Sequence, residues 1–112
     1  MENHNHQQLI EKLLNCANTC EICFSHCLSE GGMMANCAKL DRDCADSCRH
    51  AIALLQSQSV IGHQYLVLCE EICRKCAEEC AKHQHEHCQR CAQACQECAE
   101  ACHSHHEQIT QR

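Results

Sequence analysis

Cysteines at positions 16, 20, 23 and 27 step by four, three and four residues along the segment CANTCEICFSHC. This is the spacing by which a helix buries its leucines. The pattern recurs. Cys69, Cys73, Cys76 and Cys80 follow the first four at an offset of 53, and Cys91, Cys98 and Cys102 follow Cys37, Cys44 and Cys48 at an offset of 54. Asp41 stands where the second copy has Cys95, and Cys88 is an additional thiol one turn earlier. The chain reads as a helical hairpin used twice, with a thiol stripe on one face of every helix.

Punctuation between the stripes sets the architecture. Proline is absent, and the three glycines are Gly31, Gly32 and Gly62. Glu, Gln, Ala, Lys and Leu fill the intervals, and all favour helix. The predicted helices cover about 5–29, 34–56, 59–82 and 86–108. Gly31-Gly32 stops the first, SQS at 57–59 breaks the second with Ser59 as a cap for the third, and HQHEH at 83–87 holds the last turn. Short connections make neighbours antiparallel. The expectation is an all-α, single-domain chain over 1–112: an up-down-up-down four-helix bundle with a cysteine-lined core.

Such a core is unusual in its contents. The chain has one Phe, one Tyr and no Trp, against sixteen cysteines in 112 residues. One or two buried thiols serve as small hydrophobes, but sixteen small side chains on inward stripes make a loosely packed dry core. The N-terminus MENHNHQQLIEKLL lacks a basic region, an apolar run and a cleavage site, so a cytoplasmic, reducing setting is expected. No apolar run approaches the ~20 residues of a membrane span. A net charge of −6 without Lys/Arg runs argues against nucleic-acid or anionic-membrane partners.

Chemistry narrows what the thiols do. Cysteines four apart on one helix have near-parallel Cβ vectors, so disulfides would have to run between helices. The C-x2-C pairs at 20/23, 73/76, 88/91 and 95/98 lie inside helices, away from the loop setting of iron–sulfur ligands or the βαβ setting of a redox pair. Metal-binding thiols are deprotonated, and confined thiolates need cations to balance them. Zn²⁺ in four-sulfur sites would neutralise only half of that charge. A soft monovalent ion matches thiolates one for one, and soft thiolates select Cu(I). The expected cargo is many Cu(I) ions, about one per cysteine, on Cys16, Cys20, Cys23, Cys27, Cys37, Cys44, Cys48, Cys69, Cys73, Cys76, Cys80, Cys88, Cys91, Cys95, Cys98 and Cys102. A zinc store and a disulfide-stapled structural or interaction protein are the alternatives. There is no nucleophile–base–orienter set, phosphate loop or open three-ligand zinc site, so no enzyme is expected.

With these stripes the chain resembles the bacterial copper storage proteins, in their cytosolic branch. The resemblance rests on C-x3-C-x2-C-x3-C at 16–27 and 69–80, C-x6-C-x3-C at 37–48 and C-x2-C-x3-C-x2-C-x3-C at 88–102. It implies a four-helix bundle that stores Cu(I) on core cysteines and assembles as a homotetramer. A copper chaperone or efflux system would be the exchange partner. Asp41 departs from the all-thiol stripe; it either faces its neighbours as a hard, poor Cu(I) ligand or swings out to solvent.

Antiparallel order also gives the bundle two different ends. One collects Leu9, Ile10, Leu13, Leu14, Leu54, Leu55, Ile61, Tyr65, Leu66 and Ile109, an expected apolar plug. The other collects Met33, Met34, His83, His85 and His87, with His26 close by, beside the terminal thiols. These six are the candidates for admitting metal. His103, His105 and His106 lie past the plugged end and are expected to be solvated; His4 and His6 offer loose metal binding as an alternative, but are expected on a flexible terminus.

Overall fold

Helix formers between the thiols, and no proline to interrupt them, carry the backbone through four long helices. The computed structural model describes the backbone of residues 2–110 and the side chains of residues 6–105. The helices are α1 (Glu2–Leu28), α2 (Ala35–Gln56), α3 (Gly62–Ala81) and α4 (Glu86–Thr110), with a 3₁₀ turn at Gly32–Met34; no strand occurs among the described residues. α1 packs against α2 and α4, and α3 packs against the same two. The result is the up-down-up-down bundle, measuring 46 × 22 × 19 Å.

The three connections use different local chemistry. After α1, Gly31 takes φ 97°, which an L side chain rarely adopts, and lets the chain turn into the 3₁₀ segment. After α2 the chain closes a Schellman motif. The Ser59 N–H donates to the Leu54 carbonyl (3.0 Å) and the Gln58 N–H to the Leu55 carbonyl (3.2 Å). Its left-handed position is filled by Gln58, at φ 57°, where glycine is usual. Gln58→Gly should therefore raise the unfolding free energy of the metal-free protein by about 1 kcal/mol, read by denaturant titration. An unchanged midpoint would show that Gln58 bears no strain.

The start of α3 differs from the expectation. Ser59 does not cap it: the Ser59 hydroxyl accepts the Ile61 N–H (3.3 Å) inside the turn, and the helix begins only at Gly62. The Schellman closure uses up Ser59, so the next helix starts after it. The third connection follows α3, with the Lys82 and His83 N–H groups bonded back to Glu79 and Cys80.

The core is layered along the bundle axis. At the end where α1 and α3 begin, Leu9, Leu13, Leu55 and Leu66 are buried and Ile10 and Tyr65 pack around them. Leu14 and Ile61, expected in this plug, are 44% and 49% exposed, so the layer is narrower than the sequence suggested. The side chain of Ile109 lies outside the described residues. Beyond the leucines the core is sulfur. Ala17, Ala38, Ala45, Ala51, Ala77, Ala94 and Ala99 are buried among the stripes. Residues this small let helices approach closely enough for their thiols to meet.

Candidate metal centre

All sixteen cysteines are free and buried, and none is more than 2% exposed. Each helix contributes its inward stripe, as steps of three and four require. Sulfurs four residues apart on one helix lie 3.9 to 4.0 Å from each other, as in Cys23–Cys27, Cys91–Cys95 and Cys76–Cys80. Sulfurs on different helices come as close or closer: Cys37–Cys80 at 3.2 Å, Cys20–Cys95 at 3.5 Å, Cys91–Cys20 at 3.6 Å and Cys16–Cys44 at 3.7 Å. These distances exceed the ~2.05 Å of a disulfide. A thiol's nearest partner is thus often on a neighbouring helix, and the sulfurs form a lattice in place of isolated pairs along each helix.

The lattice resolves into nests of four donors, all within 4.8 Å of one another. Cys16, Cys20, Cys44 and Cys95 make one. It shares Cys16 and Cys44 with a nest completed by Cys48 and Cys73, and Cys20 and Cys95 with a nest completed by Cys76 and Cys91. Nearer the far end, Cys23 and Cys37 are shared by a nest with Cys27 and Cys88 and another with Asp41 and Cys80. Toward the leucine layer, Cys48 reaches Cys98 at 3.9 Å, and the Tyr65 hydroxyl donates to the buried Ser47 beside it (3.2 Å). Edge-sharing nests let one sulfur serve two ions.

Asp41 points inward and is fully buried. Of the two orientations the sequence allowed, the solvent-facing one is therefore corrected. The thiols explain it: Cys91 (3.2 Å), Cys76 (3.4 Å) and Cys80 (3.5 Å) donate to Oδ1, and Cys27 (3.9 Å) and Cys37 (4.0 Å) to Oδ2. Burial, followed by the Cys91 thiol, pushes its carboxyl up to about 8. A carboxyl raised in the fold from 3.8 to about 8 favours folding while protonated, and that contribution drains away as pH climbs between those values. Metal-free protein should lose about 2–3 kcal/mol of stability between roughly pH 5 and 7 from this group alone. Asp41→Asn should remove that loss, read as a flatter dependence of melting temperature on pH. Parallel profiles for the two proteins would refute it.

Among the thiols near this end, burial pushes Cys88 up to about 12. Cys37 is drawn well below the usual thiol range by hydrogen bonds from Cys23 and then Cys80.

That end is built by the two hairpin turns. His87 is half-buried with Nδ1 3.3 Å from Cys23 Sγ and 3.5 Å from Cys88 Sγ, while Nε2 meets both oxygens of Glu30 at 3.0 Å. A carboxylate only accepts, so Nε2 carries the proton, and in the neutral ring Nδ1 faces the sulfurs as an acceptor. His26 stacks on His87 (centroids 4.8 Å apart), and His85 lies tilted against it at 5.3 Å. A groove of about 500 Å³ that includes His26, His85, His87 and Arg90 opens this cluster to solvent. His83 is held on Glu79 at 2.9 Å. Met34 is buried, but Met33 is 91% exposed and points away from the thiols. Of the six candidates, the structure sets His87 against the Cys23 and Cys88 sulfurs and gathers His26 and His85 on its ring.

Glu30 escaped sequence reasoning. An acidic residue just before a glycine turn reads as solvated, and nothing local shows that it meets a histidine 57 residues later. The opposite end needs a correction as well. His105 is buried, not solvated, and His6 lies within α1, not on a loose terminus. His103 matches the exposed reading more nearly, at 49% side-chain exposure beside Glu70. The side chains of His4 and His106 lie outside the described residues.

Comparison with known proteins places this architecture. Residues 2–107 match the family described as Csp, copper storage protein. The Cu(I)-bound copper storage protein BsCsp3 is 41% identical, with a TM-score of 0.86 covering 89% of this chain and 96% of that one. A cytosolic copper storage protein from Streptomyces lividans, solved with five coppers, is 36% identical, with a TM-score of 0.85 over 90% of this chain and 91% of that one. The cysteine-rich protein YhjQ of Bacillus subtilis is 42% identical over 78 residues, spanning 68% of this chain and 72% of its own. A family match over nearly the whole length, on a bundle whose axis is lined with sulfur, leads to one statement: the chain belongs to the copper storage protein family.

Proposed function

We propose that this chain stores Cu(I) in the cytosol, on its sixteen core thiols, and so keeps the ion from free solution. One observation carries the reading: sixteen buried sulfurs in edge-sharing nests, with no lysine or arginine among the buried residues described. Once ionised, that lattice demands monovalent soft cations as its counter-charge. The copper carried by its relatives and the cytosolic setting of the Streptomyces protein support the same conclusion. Storage requires no turnover, and the thiols need no catalytic partner to perform it.

The ligands are the cysteines from Cys16 to Cys102. His87, with His26 and His85, receives ions from solvent at the open end, and Cys23, Cys27 and Cys88 pass them inward. Met34 lines the route beneath, and Met33 and His83 take the outer positions. Asp41 sits within one nest as a hard oxygen that binds Cu(I) weakly. The exposed Ile22, Val67 and Leu68 support a homotetramer built on the outer helix faces. Exchange with a copper chaperone or an efflux system would follow from the same open end.

Anaerobic titration of reduced protein with Cu(I) against a chromophoric chelator tests the reading. Uptake should exceed ten equivalents per chain, on the order of one per thiol. Saturation near four would indicate tetrahedral four-sulfur sites of the zinc kind, and the storage reading would fail.

A further inference from the structure

The inward stripes do not end with the cysteines. On α1 the steps of three and four run His6, Leu9, Leu13, Cys16; on α4 they run Cys95, Cys98, Cys102, His105; on α3, His63 lies three before Leu66. The antiparallel order brings all three histidines to the closed end, on the far side of the leucine layer from the sulfur. The rings meet there. The centroids of His6 and His105 are 5.1 Å apart and those of His63 and His105 are 5.2 Å apart. Three imidazoles from three different helices thus share one layer, outside the thiol lattice.

We infer that His6, His63 and His105 form a second metal site, for one divalent cation of the Zn²⁺ class, separate from the Cu(I) store. The spacing fits. With Zn–N about 2.0–2.1 Å and the ring centre about 1.1 Å farther out, two imidazoles at a tetrahedral angle have centroids about 5.2 Å apart. His63 Nδ1 is buried with no hydrogen-bond partner among the described residues. A buried ring nitrogen of that kind calls for a ligand. A cleft of about 240 Å³ between His6, His63 and the Gln58–Ser59 turn leads to the cluster, leaving room for water as the fourth ligand. Neutral nitrogen donors suit a borderline divalent ion, whereas the sulfur beyond the leucines suits a soft monovalent one. Bound there, the cation ties the beginnings of α1 and α3 to the end of α4.

The test uses protein whose thiols are already filled with Cu(I), mixed with Zn²⁺ and freed of excess by dialysis. One Zn²⁺ per chain should remain, and X-ray absorption at the zinc edge should show a nitrogen/oxygen shell at about 2.0–2.1 Å without sulfur at about 2.3 Å. His6→Ala and His63→Ala should each weaken binding at least tenfold, while His103→Ala leaves it unchanged. Circular dichroism checks that each variant is folded. No retained Zn²⁺, a sulfur shell, or unaltered affinity in both variants overturns the inference. Histidine ring NMR signals of the metal-free chain, followed through a Zn²⁺ titration, report on the same three residues whether or not the thiols accept copper. Failure of this site and failure of the storage reading are therefore distinguishable.

Discussion

Filling the sulfur lattice with Cu(I) should raise the melting temperature by at least about 30 °C. The reason is linkage. An ion that binds only the folded chain, at a thousand times its dissociation constant, adds about 4 kcal/mol. Four such ions add about 16 kcal/mol, comparable with the whole stability of an ordinary domain. For a chain of this size each kcal/mol moves the midpoint by several degrees. The ions also replace weak thiol contacts by metal–sulfur bonds that cross between all four helices, as the Cys16–Cys44–Cys95 and Cys37–Cys80 contacts already do. Thermal melts followed by circular dichroism, with and without saturating Cu(I), give the measurement. If loaded and empty proteins melt within a few degrees of each other, the copper is bound outside the core.

The second large effect concerns the leucine layer. Leu66→Ala should cost the metal-free protein about 2–5 kcal/mol and leave it largely or partly unfolded at room temperature. Leu66 is fully exposed to none of the solvent, and with Leu13 it is one of the two largest apolar side chains buried completely. Ordinary domains spread that burden over many bulky residues; here the rest of the interior is mostly thiols and alanines. Addition of Cu(I) should restore helicity in the variant, because the metal supplies the cohesion that the leucine gave. A metal-free Leu66→Ala chain as stable as its parent would show that the thiols themselves suffice as a core. A variant that stays unfolded with Cu(I) would show that the layer must form before ions can bind.

Much of this was legible in the residues. Steps of three and four fix the direction in which a side chain points, so the sixteen sulfurs could be placed inside the bundle before any coordinates. The same steps place Asp41 between Cys37 and Cys44, and His105 three after Cys102. For those two, chemistry argued against geometry: an isolated carboxylate or imidazole is costly to bury. Geometry prevailed because the surroundings remove that cost. Five thiols donate to Asp41, and His105 lies among other rings. Glu30 was not legible, since its meeting with His87 depends on how two separate turns fold toward each other. Nor was the late start of α3, which follows from a left-handed Gln58 that no propensity would nominate.

The narrowness of the bundle, 22 × 19 Å across its helices, has a consequence for traffic. A passage blocked by leucine at the bottom and bordered by histidine at the top behaves as a blind shaft. With entry at the histidine end as proposed, occupants deposited earliest would lie deepest, with later arrivals above them. Withdrawal would then run in reverse order of deposit, and the oldest copper in a cell would be the last to be spent.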